Sequence, residues 1–589
     1  MACRIPIKKG REEKMPGFRI SNLGHRGELR NYSNDRCVSS SLNIRDICIE
    51  RKTLDKFLED KVWLYEDEVF ILFEGVVLNF HSLMEENHCT TYAQTAITLY
   101  RKFGINLLNM LDGEVSGAII DFAKEIAYVF TSKLGSNAVF YYANNGCIAI
   151  GSQLNYVTDC LRDNNISRNI DVDALKQFMG YGYYLDDSTP LTDVKRLYPG
   201  HFLRIALQDY SIENMRYYIA DYKQDLIIDE DEAIDRLHNA FRSAVKKVLS
   251  KNEEYSYKTL LDISAGGDSR MIACVAKELG ANNVLMDCYA QSTCKDAKTG
   301  QQIANMLQYD YVFRSLDNAS SLMNIDDNIL MNNGATVYYS ITGGKDMLES
   351  LDRKLFGLEC TGLLGDIFDG SMVVTYSDGI IDKNYRRFRL SDVLEYGTDF
   401  TFPSKMEKMF HNHVNEHYWF YTRGMIFGMT SYFIRQNFTE VATPYGDQEF
   451  LKVYLSLPWD VRVKRHLLRR WFAKYYPEFS AVEYDNTGVS LTESFTRTGK
   501  AKRLFIKIMR KLCSFIQEEK PSGMNDYTYW YNHNNDFKSI IDSYYEENKC
   551  FAAMNSEING LINRLFNGAV QDKLLAVSVL SIIKQYIAT

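Results

Sequence analysis

Leu260-Leu-Asp-Ile-Ser-Ala-Gly-Gly-Asp-Ser-Arg270 constrains this chain more than any other stretch. An apolar run that reads as a buried strand leads into it. Met271 to Gly280 follows and reads as a helix stopped by glycine. The turn between them holds only small residues and ends in Asp268-Ser269. A strand, a turn without bulky side chains and a helix N-terminus together form an anion site. Backbone N–H groups point outward, the helix dipole favours negative charge, and little side-chain bulk blocks a phosphate. No Lys-Ser/Thr follows the glycines, which excludes a Walker A loop. No third glycine stands at the offset a dinucleotide fingerprint needs.

At 589 residues the chain is too long for a single core, so two or three domains are expected, and 46% hydrophobic content can fill them. The net charge is −8 with no long basic block, so nucleic acid is not expected as a main partner. No run of about 18 apolar residues occurs, so no membrane span is expected, and no membrane partner. The N-terminus is too charged for a secretory signal. The twelve cysteines form no C-x-x-C pair, which argues against a zinc cluster or a disulfide scaffold. A cytoplasmic protein is the expectation.

Residues 1–17 are basic and aperiodic and read as a loose tail. From 18 to about 210 the pattern is short apolar strands with helices, a layered α+β sandwich. Val69–Asn79 reads as two strands about a turn, Thr91–Phe103 as a helix, and Val115–Asp121 and Ile126–Phe130 as buried strands. Residues 205–230 read as a connection, and Asp231–Ser250 as a helix with one apolar stripe. Asn283–Tyr289, Lys295–Leu307 and Tyr311–Leu316 continue as strand, helix and strand. This is the grammar of a doubly wound α/β domain over 211–589, whose ligands bind at the carboxyl ends of the strands.

Ser264-Ala-Gly-Gly-Asp-Ser269 resembles the SGGxDS loop of the N-type ATP pyrophosphatases, with Ala265 where the first glycine usually stands. That group includes asparagine synthetases, β-lactam synthetases and lasso-peptide cyclases. Gly362-Leu-Leu-Gly365-Asp366 resembles the G-x-G-x-D-E segment of the asparagine synthetase family. Thr443-Pro-Tyr-Gly-Asp447 resembles its R-x-P-F-L-D signature. Arg462-Val-Lys464 and the residues after it resemble the helix that carries a lysine against the phosphates. The resemblance implies an ATP pyrophosphatase domain with a helical C-terminal part. It assigns Leu261, Ser264, Ala265, Gly266, Gly267, Asp268, Ser269, Met286 and Gly362 to ATP, and Gly365 and Asp447 to substrate. It gives Asp366 and Lys464 catalytic roles, with Arg462 as the alternative to Lys464. Asp268 and Asp366, at the ends of neighbouring strands, are suited to share Mg²⁺ bound to the triphosphate. One departure is Leu363, where relatives carry a Glu or Tyr that helps deprotonate the attacking nitrogen. Leucine does no acid–base work. Glu359, His411, His413, Glu416 and Glu440 are the candidate substitutes.

Residues 18–210 resemble the class II glutamine amidotransferase domain, an N-terminal-nucleophile hydrolase fold, through His25-Arg26-Gly27, Gly75 with Asn79, Leu111–Asp121 and Leu134–Tyr142. Its chemistry is not matched. The family nucleophile is an N-terminal cysteine, whereas Cys3 here is internal. The family's oxyanion Asn-Gly is Glu74-Gly75, its glutamine-binding Asp falls near Thr91-Tyr92, and its Arg falls near Ser41–Ile44. A glutaminase without activity is implied.

The implied function is ATP-dependent, AMP-forming amide synthesis. A carboxylate of a small molecule or peptide is activated as acyl-adenylate and attacked by ammonia or an amine. β-Lactam-synthetase-like or lasso-cyclase-like condensation is the first alternative, and a non-catalytic nucleotide- or partner-binding relative is the second. ATP and Mg²⁺ are the implied cofactors. Oligomeric state is left open, a homodimer being one candidate.

Overall fold

The computed structural model describes residues 15–24, 37–220, 222, 226, 228–340, 343–368, 390–391, 393, 420–462, 466–484, 488–493, 496–513 and 523–588. Cys3, His25–Gly27, His411, His413, Glu416 and Lys464 lie outside them.

The first unit is built on two six-stranded antiparallel sheets. One runs Val194–Arg196, Phe140–Asn144, Cys147–Gly151, Gly17–Ser21, Ile47–Leu54, Cys37–Ile44 from edge to edge. The other runs Ile212–Arg216, His201–Ala206, Ile126–Phe130, Gly113–Asp121, Val69–Val77, Trp63–Glu66. Side-chain alternation joins them. Along Val69–Val77, Phe70 and Leu72 enter the core shared with Phe18, Ile20 and Ile49 of the facing sheet. Ile71, Phe73 and Val77 pack under the helices Phe80–Glu86 and Tyr92–Phe103. A strand buried on both faces reads as an unbroken apolar run. Thr91 caps the second helix, its hydroxyl accepting from Gln94 N at 3.1 Å.

Three boundaries differ from the sequence expectation. Val69–Val77 is one strand and not a hairpin, paired without a break from Val69 opposite Asp121 to Val77 opposite Gly113. Glu74-Gly75 stays extended because Gly75, at φ 111°, admits the Glu114 carbonyl where a Cβ would stand. The tail does not reach residue 17: Met15 is buried and its carbonyl accepts from Tyr156 OH at 2.7 Å. The connection expected from 205 holds the hairpin of His201–Ala206 with Ile212–Arg216, so the unit extends past residue 210.

That hairpin carries a pH-sensitive group. Burial, with Arg216 nearby, pushes the His201 imidazole down to about 3. The unfolded chain protonates histidine near 6.5 and the folded chain does not. Stability is therefore full above about pH 6.5 and falls by about 1.4 kcal/mol per pH unit below it. Between pH 7 and 5 this group is expected to remove about 2 kcal/mol. Urea midpoints of the parent and His201→Leu at both pH values check this. An equal acid loss in the variant would refute it.

The second unit holds a fully parallel sheet of β1 (Lys258–Asp262), β2 (Val284–Ala290), β3 (Asp310–Ser315), β4 (Phe356–Cys360) and β5 (Val441–Ala442), in the order β3-β2-β1-β4-β5. The order reverses between β1 and β4, so a crevice opens at their carboxyl ends. Helix α1 (Glu230–Glu254) is capped by Asp229 and lays Ile234, Leu237, Phe241, Val245 and Val248 into the core. Helices α2 (Asp268–Glu278) and α3 (Lys295–Leu307) follow β1 and β2.

Buried charge joins the units. Asp60 of the first accepts from Tyr255 OH at 2.6 Å and lies 3.3 Å from Lys251 Nζ, with both ion-pair side chains sealed from solvent. Lys61 pairs with Glu440 at 2.7 Å, and Lys56 donates to the Phe356 carbonyl. The C-terminal helices return to the first unit. Val570–Ile583 is apolar on nearly all sides, as a helix enclosed by protein must be, and shares a core with Ala149, Leu175 and Phe178.

Candidate functional site

A cavity of about 510 Å³ lies at the carboxyl ends of β1, β2 and β4, where the strand order reverses. Ser264, Gly266, Gly267, Asp268 and Ser269 line it from the β1–α2 loop, and Gly362 and Asp366 from beyond β4. The loop is held from within. Ser264 N donates to Ser269 Oγ, and Gly266 N to Ser264 Oγ, each at 3.2 Å. Ala265 N donates to Asp296 Oδ1 at 2.9 Å, so this amide is directed at a protein carboxylate. Arg270, wholly buried, ties the loop to the chain beyond it: Nη2 donates to the carbonyls of Ala265 at 2.9 Å and Glu483 at 2.8 Å.

The two glycine positions after β4 are dictated by close approach. A Cβ on Gly362 would stand 2.9 Å from Ser269 N, and one on Gly365 would overlap the Asp268 carboxyl group. The Gly362–Asp366 turn is therefore seated on the N-terminus of α2. Gly365 contributes packing and does not line the cavity. Tyr445 OH donates to the Asp268 carbonyl at 3.1 Å and fixes the same helix end from the side.

Other expected site residues stand elsewhere. Leu261 and Met286 face each other in register and are fully buried in the core beneath the loop. Alternation turns the next residue of each strand, Asp262 and Asp287, to the cavity instead. Arg462 is sealed from solvent, its Nε donating to the Leu457 carbonyl at 2.9 Å and its guanidinium 5.0 Å from the Tyr454 ring. It does not line the cavity. Asp447 caps the helix Gln448–Ser456 and pairs with Lys247 at 2.7 Å. It lines a separate cavity of about 40 Å³ between the units. Of the candidate bases, Glu440 is paired with Lys61. Glu359 is buried beside Arg435, and Leu363 lines the cavity with an apolar side chain.

Arg435, Asp262, Asp287 and Tyr289, to which motif reading gave no role, gather at the site with Glu359. Arg435 donates from Nη1 to Asp262 Oδ2 at 2.8 Å and to Glu359, and from Nη2 to Tyr289 OH. Carboxylate oxygens of Asp262, Asp287 and Glu359 lie within 4.8 Å of one another. Burial, with Asp262 adjacent, pushes the Asp287 carboxyl well above the usual range. Burial does the same to Glu359 despite the guanidinium on it. Among the described lining residues Arg435 is the only cation, against Asp262, Asp268, Asp287, Asp296 and Asp366.

In the first unit the positions where a glutaminase would work have structural partners. Glu74 is buried, accepts from Thr53 Oγ1 at 2.9 Å and lies 3.6 Å from Arg51. Thr91 is a helix cap, and Tyr92 OH donates to Glu254 of the second unit.

Among the described residues no helix is long and apolar enough to cross a membrane. A family model described as a glutamine amidotransferase domain matches residues 63–218. Over 222 residues, 36% of this chain, the sequence is 25% identical to asparagine synthetase (glutamine-hydrolyzing) 1 of Bacillus subtilis (strain 168). The match spans 34% of that protein, so the chain is matched to about a third of its curated relative's length. Two solved structures align loosely. Glutamine phosphoribosylpyrophosphate amidotransferase from B. subtilis, complexed with ADP and GMP, aligns at 11% identity and a TM-score of 0.23, over 52% of this chain and 86% of that one. A structure of the allosteric regulatory enzyme of purine biosynthesis aligns at 12% and 0.24, over 51% and 75%. Superpositions this loose carry nothing about fold or function. The sequence matches relate the N-terminal unit to the glutamine amidotransferase domain, in the form found with asparagine synthetase.

Proposed function

We propose that the chain is an ATP-dependent, AMP-forming ligase of the asparagine synthetase type. It would activate a carboxylate as acyl-adenylate for attack by a nitrogen nucleophile. The observation that carries this reading is the Ser264–Ser269 loop, on the central strand, opening onto the cavity at the strand reversal. Asp268 and the turn bearing Asp366 are packed against each other at its wall. An acid-rich cavity repels a bare triphosphate and suits one that arrives with divalent cations. Asp268 and Asp366 offer the oxygen donors that Mg²⁺ prefers. When bound, Mg²⁺ would neutralise charge on the phosphates. The helix α2 N-terminus and the loop backbone favour the anion. The loop's internal hydrogen bonds fix its shape before substrate enters, so little ordering cost remains. Lys464 is the proposed cation on the phosphates.

The nitrogen source favoured here is an amine carried by a substrate or partner, because Glu74, Thr91 and Tyr92 are occupied with structural bonds. The deciding experiment measures pyrophosphate and AMP release from MgATP against a panel of carboxylates, with ammonia, glutamine, amines or no nitrogen source. Acid-dependent release supports the ligase. Glutamine-dependent product would overturn the loss of glutaminase activity. ATP binding without release under any condition would favour a non-catalytic nucleotide binder.

A further inference from the structure

The helix Arg497–Cys513 has seventeen residues, of which seven are Lys or Arg and none is Asp or Glu. The chain around it carries a net charge of −8. Large apolar side chains exposed elsewhere among the described residues are scattered singly, as on any soluble surface. Here four fall within six residues: Leu504 is 60% exposed, Phe505 62%, Ile508 49% and Met509 42%. Their spacing of i, i+1, i+4 and i+5 places them on one face. Ile506 points another way, onto the backbone at Gly488, where a Cβ would lie 2.5 Å from it. The helix is thus attached to the body by a different side and presents its apolar stripe to solvent. Lys500, Lys502 and Arg503 flank the stripe and are exposed.

We infer that this helix seats the protein on an anionic lipid surface. Leu504, Phe505, Ile508 and Met509 enter the boundary between headgroups and acyl chains, and Lys500, Lys502 and Arg503 rest on lipid phosphates. An amphipathic helix with a Lys/Arg-rich polar face, an aromatic and leucine on the other, and low overall hydrophobicity is the form that lies in a bilayer interface. Cationic side chains are drawn to the negative surface potential of anionic leaflets. Nucleic acid would satisfy the charge and leave four large apolar groups in water. Seven charges in seventeen residues exclude a span and fit a surface contact. The inference is independent of the ligase reading.

The test is flotation of the full chain with phosphatidylcholine vesicles, with and without phosphatidylglycerol. The parent, Leu504→Asp/Phe505→Asp and Lys500→Glu/Arg503→Glu are compared. All four substituted side chains are exposed, and thermal midpoints report whether the fold is kept. The parent is expected to partition onto anionic vesicles about tenfold more than onto neutral ones, and each double variant to lose most of that. No partitioning, equal partitioning onto both vesicles, or partitioning undiminished in both variants overturns the inference. A parent dimer that becomes monomeric in the Asp variant, without vesicle binding, would make the stripe a contact between copies. Oligonucleotide binding that survives the Asp variant and is lost in the Glu variant, again without vesicle binding, would assign the helix to nucleic acid.

Discussion

Pyrophosphate release from MgATP is expected to fall by about 10²- to 10³-fold in Asp268→Asn, with little change in folding stability. The substitution keeps the shape packed against Gly365 and the carbonyl held by Tyr445, and removes only the charge that would anchor the cation. Gly365→Ala reaches the same result by a different route. Its methyl group cannot coexist with the Asp268 carboxyl in its present position, so the charge is displaced with its identity intact. A thermal-shift series separates binding from chemistry. On the proposed reading MgATP is expected to raise the midpoint of the parent and that of neither variant. Parental pyrophosphate release by Asp268→Asn would remove the loop from the reaction.

The largest stability effect is expected at Arg435. Its side chain is 3% exposed, and its guanidinium is on Asp262, Glu359 and Tyr289. Arg435→Met leaves the buried Asp287 and Glu359 and the half-buried Asp262 with no cation, a change that costs about 3–5 kcal/mol in buried pairs elsewhere. The cost has a sign in pH. Asp287 and Glu359 already titrate well above unfolded carboxyls, so their burial is cheapest when protonated. Stability from such groups is present below an unfolded value near 4 and is lost as pH rises through the folded values. Without the guanidinium those folded values rise further, so the deficit of the variant is expected to be larger at pH 8 than at pH 5. Urea midpoints at the two pH values measure it. A deficit independent of pH would separate Arg435 from the titration of these acids. Arg435→Met/Glu359→Met, which removes both partners, is expected to regain part of the loss.

How much of this was readable depends on what each residue's signal was. The strand–loop–helix around Ser264–Ser269 was legible because an apolar run, small residues and a stop at Gly280 agree with one another. Which side of β1 and β2 faces the cavity was not legible. A parallel strand buried on both faces lacks the alternation that would separate Leu261 from Asp262 or Met286 from Asp287. A signal was nevertheless present: Asp262, Asp287 and Glu359 are acids inside otherwise apolar strands, and such acids are buried only with a partner or a task. Arg435, their partner, sits in a helical stretch with no motif and is brought to them only by tertiary packing. Arg462 was placed by spacing to a family helix, and spacing does not report which way a side chain turns. Glu74-Gly75 resembles a turn in sequence, and it took the pairing of the neighbouring strand to keep it straight. The apolar stripe after Leu504 was periodic enough to read. A search confined to long apolar runs tests for crossing a bilayer and does not test for resting on one.

The buried charges between the units bear on how such a protein can change over generations. Asp60 is held by Lys251 and Tyr255, Glu440 is held by Lys61, and the C-terminal helix Val570–Ile583 shares its core with the first unit. A gene shortened to begin after Arg216 would take Lys61 from Glu440 and Asp60 from Lys251, and would uncover the C-terminal helix. The apolar surface so exposed would draw on a stability that is small for any domain. Loss of chemistry in the first unit, residue by residue, costs nothing of the kind. Drift can therefore erase an activity in the N-terminal unit long before it can discard the unit itself.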